Sequence, residues 1–262
     1  MTNSRSTPAT PPLLHKDLKG TNRKYDWNYR AIVGMLNYLT GSTRPDLAMA
    51  VHQVARFSND PKLSHEKSVR RICRYLPETP ENGMVYKPMK HLGLEVFVDA
   101  DFAGNWKNAS DDQPENCMSR TGFLIRYQRW NIYWKSRLQT EITLSTAESE
   151  YVALSEALRS AIPVLNTLVN LHKVFPEIDI PKPKVHITVY EDNTSAIMMA
   201  SSEKFTQRTK HITLKYHWFK IFVIDGLIEI NHISTIDQLA DIFTKPLDET
   251  TFKRLRKKIC GY

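Results

Sequence analysis

Apolar side chains recur at helical spacing through the first third of the chain, and near Leu92 the period shortens to two. Between residues 27 and 77 the apolar positions include Ile32, Met35, Leu36 and Leu39, then Leu47, Val51, Val54 and Ala55, then Val69, Ile72, Cys73 and Leu76. Steps of three and four place each set on one side of a helix, so the pattern predicts three helices. Breaks fall at residues 41–45 and 59–61, and Pro77, Pro80 and Gly83 end the group. From there Leu94, Val96 and Val98 alternate with Glu95, Phe97 and Asp99, the mark of a strand with two distinct faces. Residues 121–127 and 130–136 form two further strand-like runs, close enough for a hairpin, and 145–161 reads as a long helix. A fourth strand over 185–190 ends in Glu191 and Asp192. A short helix from Asn193, a longer one around 209–224, a strand over 227–233 and a last pair of helices complete the order. The expected class is α/β, with the first and fourth strands side by side and their acidic ends together.

Composition adds limits to this outline. With 262 residues, 41% apolar and 24% charged, the chain can bury one large core or two modest ones. Residues 1–24 hold Ser6, Thr7, Pro8, Thr10, Pro11 and Pro12 and too few apolar groups to offset the entropy of ordering, so a flexible lead is expected there. A helical segment over 25–90 and a larger domain over 91–262 would follow. The net charge of +8 fits a polyanionic partner, because each cation set against a phosphate releases counterions; a merely basic globular protein has the same balance. Cys73, Cys117 and Cys260 are odd in number, far apart and outside any CxxC pair, which argues against a disulfide framework and a zinc site. No apolar run approaches the roughly 18 residues of a membrane span, and the N-terminus lacks signal-peptide order, so an intracellular protein without membrane contact is expected.

The chemistry lies in four acids. Asp99 and Asp192 each follow an apolar strand, where a carboxylate faces an open site on a fixed stem. Glu150 shares helical spacing with Ala147, Ala153, Leu154 and Ala157, which puts it on the stripe facing the sheet. Glu148 is turned about 200° away at the roughly 100° step per residue, as a solvated group or a partner of the helix N-terminus. Asp241 falls at the start of a late helix, four residues after Asp237, a residue able to cap it. Each acid alone is more often structural than catalytic; their joint order is what points to a site.

The stretch from Phe97 to Pro246 contains VDADFAGN, SRTGF, YWKS, LSTAESEYVALSEA, YEDNTSAI, RTKHI and DQLADIFTKPL, and it resembles the ribonuclease H domain of copia-type retrotransposons. Upstream, YRAIVGMLNYLTGSTRPDLAMAVHQVARF and RICRYL resemble the segment that joins polymerase to ribonuclease in the same Pol polyproteins. The resemblance implies a ribonuclease H-like, five-stranded mixed sheet flanked by helices and puts the family's metal-binding acids on Asp99, Glu150, Asp192 and Asp241. It implies two Mg²⁺ ions, with Mn²⁺ as a substitute, an RNA/DNA hybrid as substrate, and a polymerase domain of the same polyprotein as partner. A cytoplasmic particle or the nucleus would be the setting. Carboxylates crowded in one pocket repel one another, and hard divalent cations relieve that repulsion. Two ions about 4 Å apart would divide the work of activating water and neutralising the departing 3′ oxygen, leaving a 5′-phosphate and a 3′-hydroxyl.

Arg208, Lys210 and His211, in RTKHI, form a basic group suited to the hybrid backbone, equally readable as a solvated helix start. Lys135 and Arg137, beside Tyr133 and Trp134 on the third strand, offer basic and aromatic contacts that tell RNA from DNA, although core packing is the commoner role for Trp134. His232 is a weaker candidate for moving a product proton, and Lys253, Arg254, Arg256, Lys257 and Lys258 form a basic helix face. Residues 111–117 depart from the family pattern at Asp112, Pro114 and Glu115. No YxDD motif occurs, so no polymerase site is expected in this chain, which reads as a piece beginning after the polymerase palm. Two rival readings are an inactive nucleic-acid-binding or polyprotein scaffold and an integrase-like enzyme. The second would need an acid such as Glu229 on a helix after Asp192, in place of Glu150 between the aspartates.

Overall fold

The computed structural model describes residues 4–87, 89, 92–104, 106, 114–176, 187–202, 212 and 214–261. Five strands form one sheet: β1 (Leu94–Asp101), β2 (Arg120–Tyr127), β3 (Trp130–Leu138), β4 (Ile187–Glu191) and β5 (Ile228–His232), in the order β3-β2-β1-β4-β5. β1, β2 and β3 pair antiparallel, whereas β4 runs parallel to both β1 and β5. This is the expected mixed sheet. The β2–β3 hairpin turns on Gln128 and Arg129, both at positive φ (51° and 66°), the backbone sign that matches a tight turn to strand twist.

Alternation along β1 sorts its side chains between two cores. Leu94, Val96, Val98 and Ala100 join Tyr151, Leu154, Ala157 and Leu158 of α4 (Thr146–Val174) on one face of the sheet. Phe97 joins the other face, with Leu124 of β2 and residues of α1 (Tyr29–Ser42), α2 (Ala48–Ala55), α3 (Leu63–Tyr75), α7 (Asp241–Thr244) and α8 (Glu249–Cys260). The helical segment and the strand-rich region thus share one apolar cluster. Residues 4–24, the described part of the expected flexible lead, carry no helix. They dock nonetheless: Ala9 and Leu14 pack on this cluster, and Thr7 is buried.

α4 starts where Ser145 accepts a hydrogen bond from the Glu148 N–H, a cap of about 1 kcal/mol. It runs 13 residues past its expected end at Ala161, through Pro163 to Val174. A proline inside a helix costs about 3 kcal/mol; here Leu165 is buried beyond it, with Ile162, Val164, Leu168 and Val169 packed on the same core, and burial of that apolar stripe outweighs the lost bond. By length and mean hydropathy α4 is long and apolar enough to cross a membrane, contrary to the expectation that no such segment exists; half of the qualifying stretch is buried in the protein.

The helix expected over 209–224 is replaced by a short 3₁₀ turn at Leu214–Tyr216 and a brief α6 (Lys220–Ile224), residues 203–211 and 213 lying outside the described set. Consecutive aromatic groups explain the change. Tyr216 and Phe219 are buried, His217 Nδ1 is 2.8 Å from the Tyr151 hydroxyl, and Trp218 Nε1 donates to Ser155 Oγ at 2.9 Å. A single helical face cannot bring all four side chains to α4.

Gly122, in the middle of SRTGF, lets β2 touch α7. A Cβ built there would lie 2.6 Å from Thr244 Cγ2 and 2.8 Å from Phe243 Cβ. Gly122→Ala is expected to lower stability by about 1–3 kcal/mol through overpacking. Urea denaturation checks it, and an unchanged midpoint would mean that α7 moves aside at no cost.

Candidate metal centre

The parallel pairing of β1 and β4 sets Phe97 opposite Tyr190. Asp99 and Asp192 each stand two residues further along, so the register brings both acids to the same end of the sheet. Glu150 reaches them from the second turn of α4, on the stripe that buries Ala153, Leu154 and Ala157. One carboxylate oxygen from each of Asp99, Glu150 and Asp192 lies within 4.8 Å of the others. Asp99 and Glu150 are both buried to 3% exposure, while Asp192 is half-buried and leaves the group open on one side.

Hydroxyls orient two of these acids, and an amide ties down the strands that carry them. Thr244 Oγ1 donates to Asp99 Oδ2, and Thr235 Oγ1 donates to Asp192 Oδ2 at 2.7 Å. Gln238 Nε2 donates to the Val98 carbonyl at 2.8 Å and lies 3.3 Å from that of Tyr190, tying the approach to α7 into the gap between β1 and β4. The roles of DQLADIFTKPL are thereby partly structural.

Burial pushes the Asp99 carboxyl up to about 7; Lys245 opposes the shift, and Asp241 and Asp192 add to it. Glu150 is driven well above the carboxylate range by burial first, then by Glu191, Asp99 and Asp192. Glu191 is a fifth acid that the motif reading passed over. It is fully buried on the Ile187 and Val189 side of β4, its Oε1 accepts the Asn193 N–H at 3.0 Å, and burial raises its carboxyl as well. Strand alternation alone points to it, since residues 187, 189 and 191 share a face.

Asp241 is not one of the three. It opens α7, where Lys245, four residues on, brings Nζ to 2.7 Å from Asp241 Oδ1 and 4.0 Å from Asp99 Oδ2. The expected meeting of four acids is therefore a triplet, with Asp241 beside it across an ammonium group. Asp237 does not cap this helix; it pairs with Lys258 at 2.7 Å. Glu148 is buried, not solvated, and accepts the Leu144 N–H at 2.8 Å as an N-terminal partner.

The donor set fits a hard divalent cation. All the converging ligand atoms are carboxylate oxygens, and Glu150 Oε2 is buried with no hydrogen-bond partner. Such an oxygen loses its hydration and gains nothing in return unless a cation or a proton meets it.

No protein-family profile matches the chain. It is 33% identical to the retrovirus-related Pol polyprotein from transposon RE1 of Arabidopsis thaliana over 254 residues, 97% of this chain and 16% of the relative. With the corresponding polyprotein from transposon RE2 of the same plant it shares 34% over 251 residues, 96% of this chain and again 16% of the relative. The chain belongs to the retrovirus-related transposon Pol polyproteins. It spans about one sixth of the length of these two relatives. Among solved structures, the N-terminal RNase H domain of rv2228c from Mycobacterium tuberculosis, fused to maltose binding protein, covers 63% of this chain and 97% of that one, at 10% identity and a TM-score of 0.37. The ribonuclease H-like class of this Pol segment stands on its own strand order and register.

The other predicted positions of the Pol segment are scattered. Lys135 lies half-buried on β3, in a cleft with Arg137, Arg159 and Lys215, and Arg137 pairs with Glu156 at 3.4 Å. Trp134 packs on the core and donates to the Thr40 carbonyl at 2.9 Å. Arg208, Lys210 and His211 lie outside the described residues, as do Asp111 and Asp112; Glu115 pairs with Arg56 at 3.3 Å. His232 and Glu229 are exposed on β5, so Glu229 is on a strand and not on the helix an integrase-like reading requires. In the C-terminal basic run, Arg256 donates to the Tyr75 hydroxyl at 2.8 Å and Lys253 pairs with Glu249.

Proposed function

We propose that this Pol segment is a metal-dependent endonuclease of ribonuclease H type, from a copia-type element, that cuts the RNA strand of RNA/DNA hybrids. The convergence of Asp99, Glu150 and Asp192 from three separate elements onto one partly open group, with oxygens within 4.8 Å, carries the reading. These three would hold Mg²⁺, or Mn²⁺ in its place, and Asp241 would be the fourth ligand once released by Lys245. Bound there, such ions supply an acidified water and charge compensation for the departing 3′ oxygen.

The chain's own groups do the positioning. Thr244 and Thr235 fix the carboxylates of Asp99 and Asp192, so that little side-chain entropy remains to be lost on binding. The half-buried Asp192 leaves the side from which a phosphodiester can approach. Burial of Asp99 and Glu150 excludes competing water and makes the negative cluster depend on cations. In this reading Lys135 and the Arg208, Lys210 and His211 group contact the hybrid. A polymerase domain of the same polyprotein supplies that hybrid inside a cytoplasmic particle or the nucleus.

The test is a labelled RNA/DNA hybrid incubated with the purified chain. Cleavage of the RNA strand with Mg²⁺, stopped by EDTA and abolished by Asp99→Asn, is the expected result. No metal-dependent cutting across a range of salt would leave a nucleic-acid-binding scaffold.

A further inference from the structure

A cleft of about 330 Å³ lies between α3 and the N-terminal segment, in the helical layer on the sheet face opposite α4. Lys67, Arg70, Arg71 and Arg74 of α3 form one wall, and Arg5 and Thr10 stand on the other. Steps of three and four put the α3 cations on one face, while Val69, Ile72 and Tyr75 bury the opposite face and fix its orientation. Two contacts brace the cleft. Arg71 donates from Nε to the Thr7 carbonyl at 3.1 Å and from NH2 to Thr7 Oγ1 at 2.8 Å, and the Arg70 guanidinium lies 4.6 Å above the Tyr25 ring.

Among the described residues, none of these five cations pairs with a carboxylate. Arg71 is lowered by burial and then by the neighbouring charge of Arg5, the sign of mutual repulsion across the cleft. Positive groups gathered without counter-charge create a strong local potential for an anion. Among the described residues, every side chain lining the cleft is polar or charged, and the nearby Tyr25 ring is already covered by Arg70, so an anion fits better there than a lipid tail, an apolar peptide anchor or a stacked base. From Lys67 to Arg74 the helix rises about 10 Å. A duplex strand places a phosphate every 3.4 Å or so along its axis, so the row matches about three consecutive phosphates.

We infer that the cleft between α3 and the N-terminal segment is a sequence-independent groove for the phosphate backbone of duplex nucleic acid, separate from the carboxylate triplet. Contacts of this kind position a duplex and carry no base information. The groove stands apart from the nuclease proposal, because binding is read in EDTA, where no metal-dependent cutting takes place.

The experiment measures anisotropy of a fluorescein-labelled RNA/DNA hybrid against the full chain in EDTA, over a series of salt concentrations. Arg5→Gln, Lys67→Gln and Arg74→Gln are combined, sparing Arg70 and Arg71, which brace the walls. The expected result is binding at least tenfold weaker at low salt, with the slope of log affinity against log salt smaller by about 3. Three lysines removed elsewhere (Lys173→Gln, Lys253→Gln and Lys257→Gln) should reduce that slope far less. Equal losses from the two sets, an unchanged slope in the groove variant, or displacement of the hybrid by poly-glutamate as readily as by unlabelled duplex would each overturn the groove. Should the triple variant fail to fold, exposed Lys67→Gln alone decides, with a slope change of about 1 expected and none overturning.

Discussion

Glu150→Gln and Asp192→Asn are each expected to abolish the proposed hybrid cleavage, with the metal-free protein melting at the same temperature as the parent or above it. The loss should be on the order of a thousandfold, because the several kcal/mol of charge stabilisation owed to a bound metal correspond to a factor of ten per 1.36 kcal/mol. The gain in stability comes from the same crowding. Asp99 has a folded-state pKa near 7 against an ordinary value of 3.8, and Glu150 is likewise raised. A raised acid binds its proton more tightly in the folded chain, so its stabilising share is present at low pH and fades as pH climbs from about 4 through about 7. Without metal, stability should therefore decline over that range. Glu150→Gln should flatten the decline, and Ca²⁺ should raise the parent's melting temperature more than the variant's. A variant that melts well below the parent, or that still cuts at near-parent rates, contradicts the assignment of these acids to a metal centre.

Asp46→Ala is expected to cost about 3–5 kcal/mol, the penalty for breaking a buried ion pair. Arg44 and Asp46 are joined by two parallel bonds at 2.9 and 2.8 Å, the Tyr75 hydroxyl donates to Asp46 Oδ2 at 2.6 Å, and Arg256 donates to that hydroxyl at 2.8 Å. Arg44 also reaches Thr79 Oγ1 at 2.8 Å. One carboxylate thus links the loop after α1 to α3 and α8, and Asp46 and Tyr75 are both buried. Removing it strands a guanidinium in the core. Chemical denaturation measures the loss, and a change below about 1 kcal/mol would show that water reaches Arg44 freely. Arg44→Met combined with Asp46→Leu should recover much of the deficit, since an apolar pair leaves no orphaned charge.

Much of this architecture was legible because apolar periodicity is a local signal. The three early helices and the first three strands appear close to where spacing places them, and Asn193 caps α5 (Thr194–Ser201) as its position suggests. The misses have tertiary causes. Pro163 stops a helix in isolation, yet α4 continues because its later turns are covered by the core. The run from Tyr216 to Phe219 looks helical by composition, but its side chains spread over α4 in several directions. At the candidate metal centre Asp99, Glu150 and Asp192 could be read from strand ends and a helical stripe. Lys245 could not, since its ammonium matters only through two acids at 2.7 and 4.0 Å, one of them far away in the chain.

The apolar cluster that mixes Tyr29, Val51 and Ile72 with Phe97, Leu124, Phe243 and Leu255 has a bearing on how such a segment can be inherited. A recombination that carried away residues 91–262 without the preceding helices would leave one side of the sheet wet, sticky and prone to self-association. Keeping that side of the sheet covered takes the helices on both sides of it in sequence, from α1 to α8.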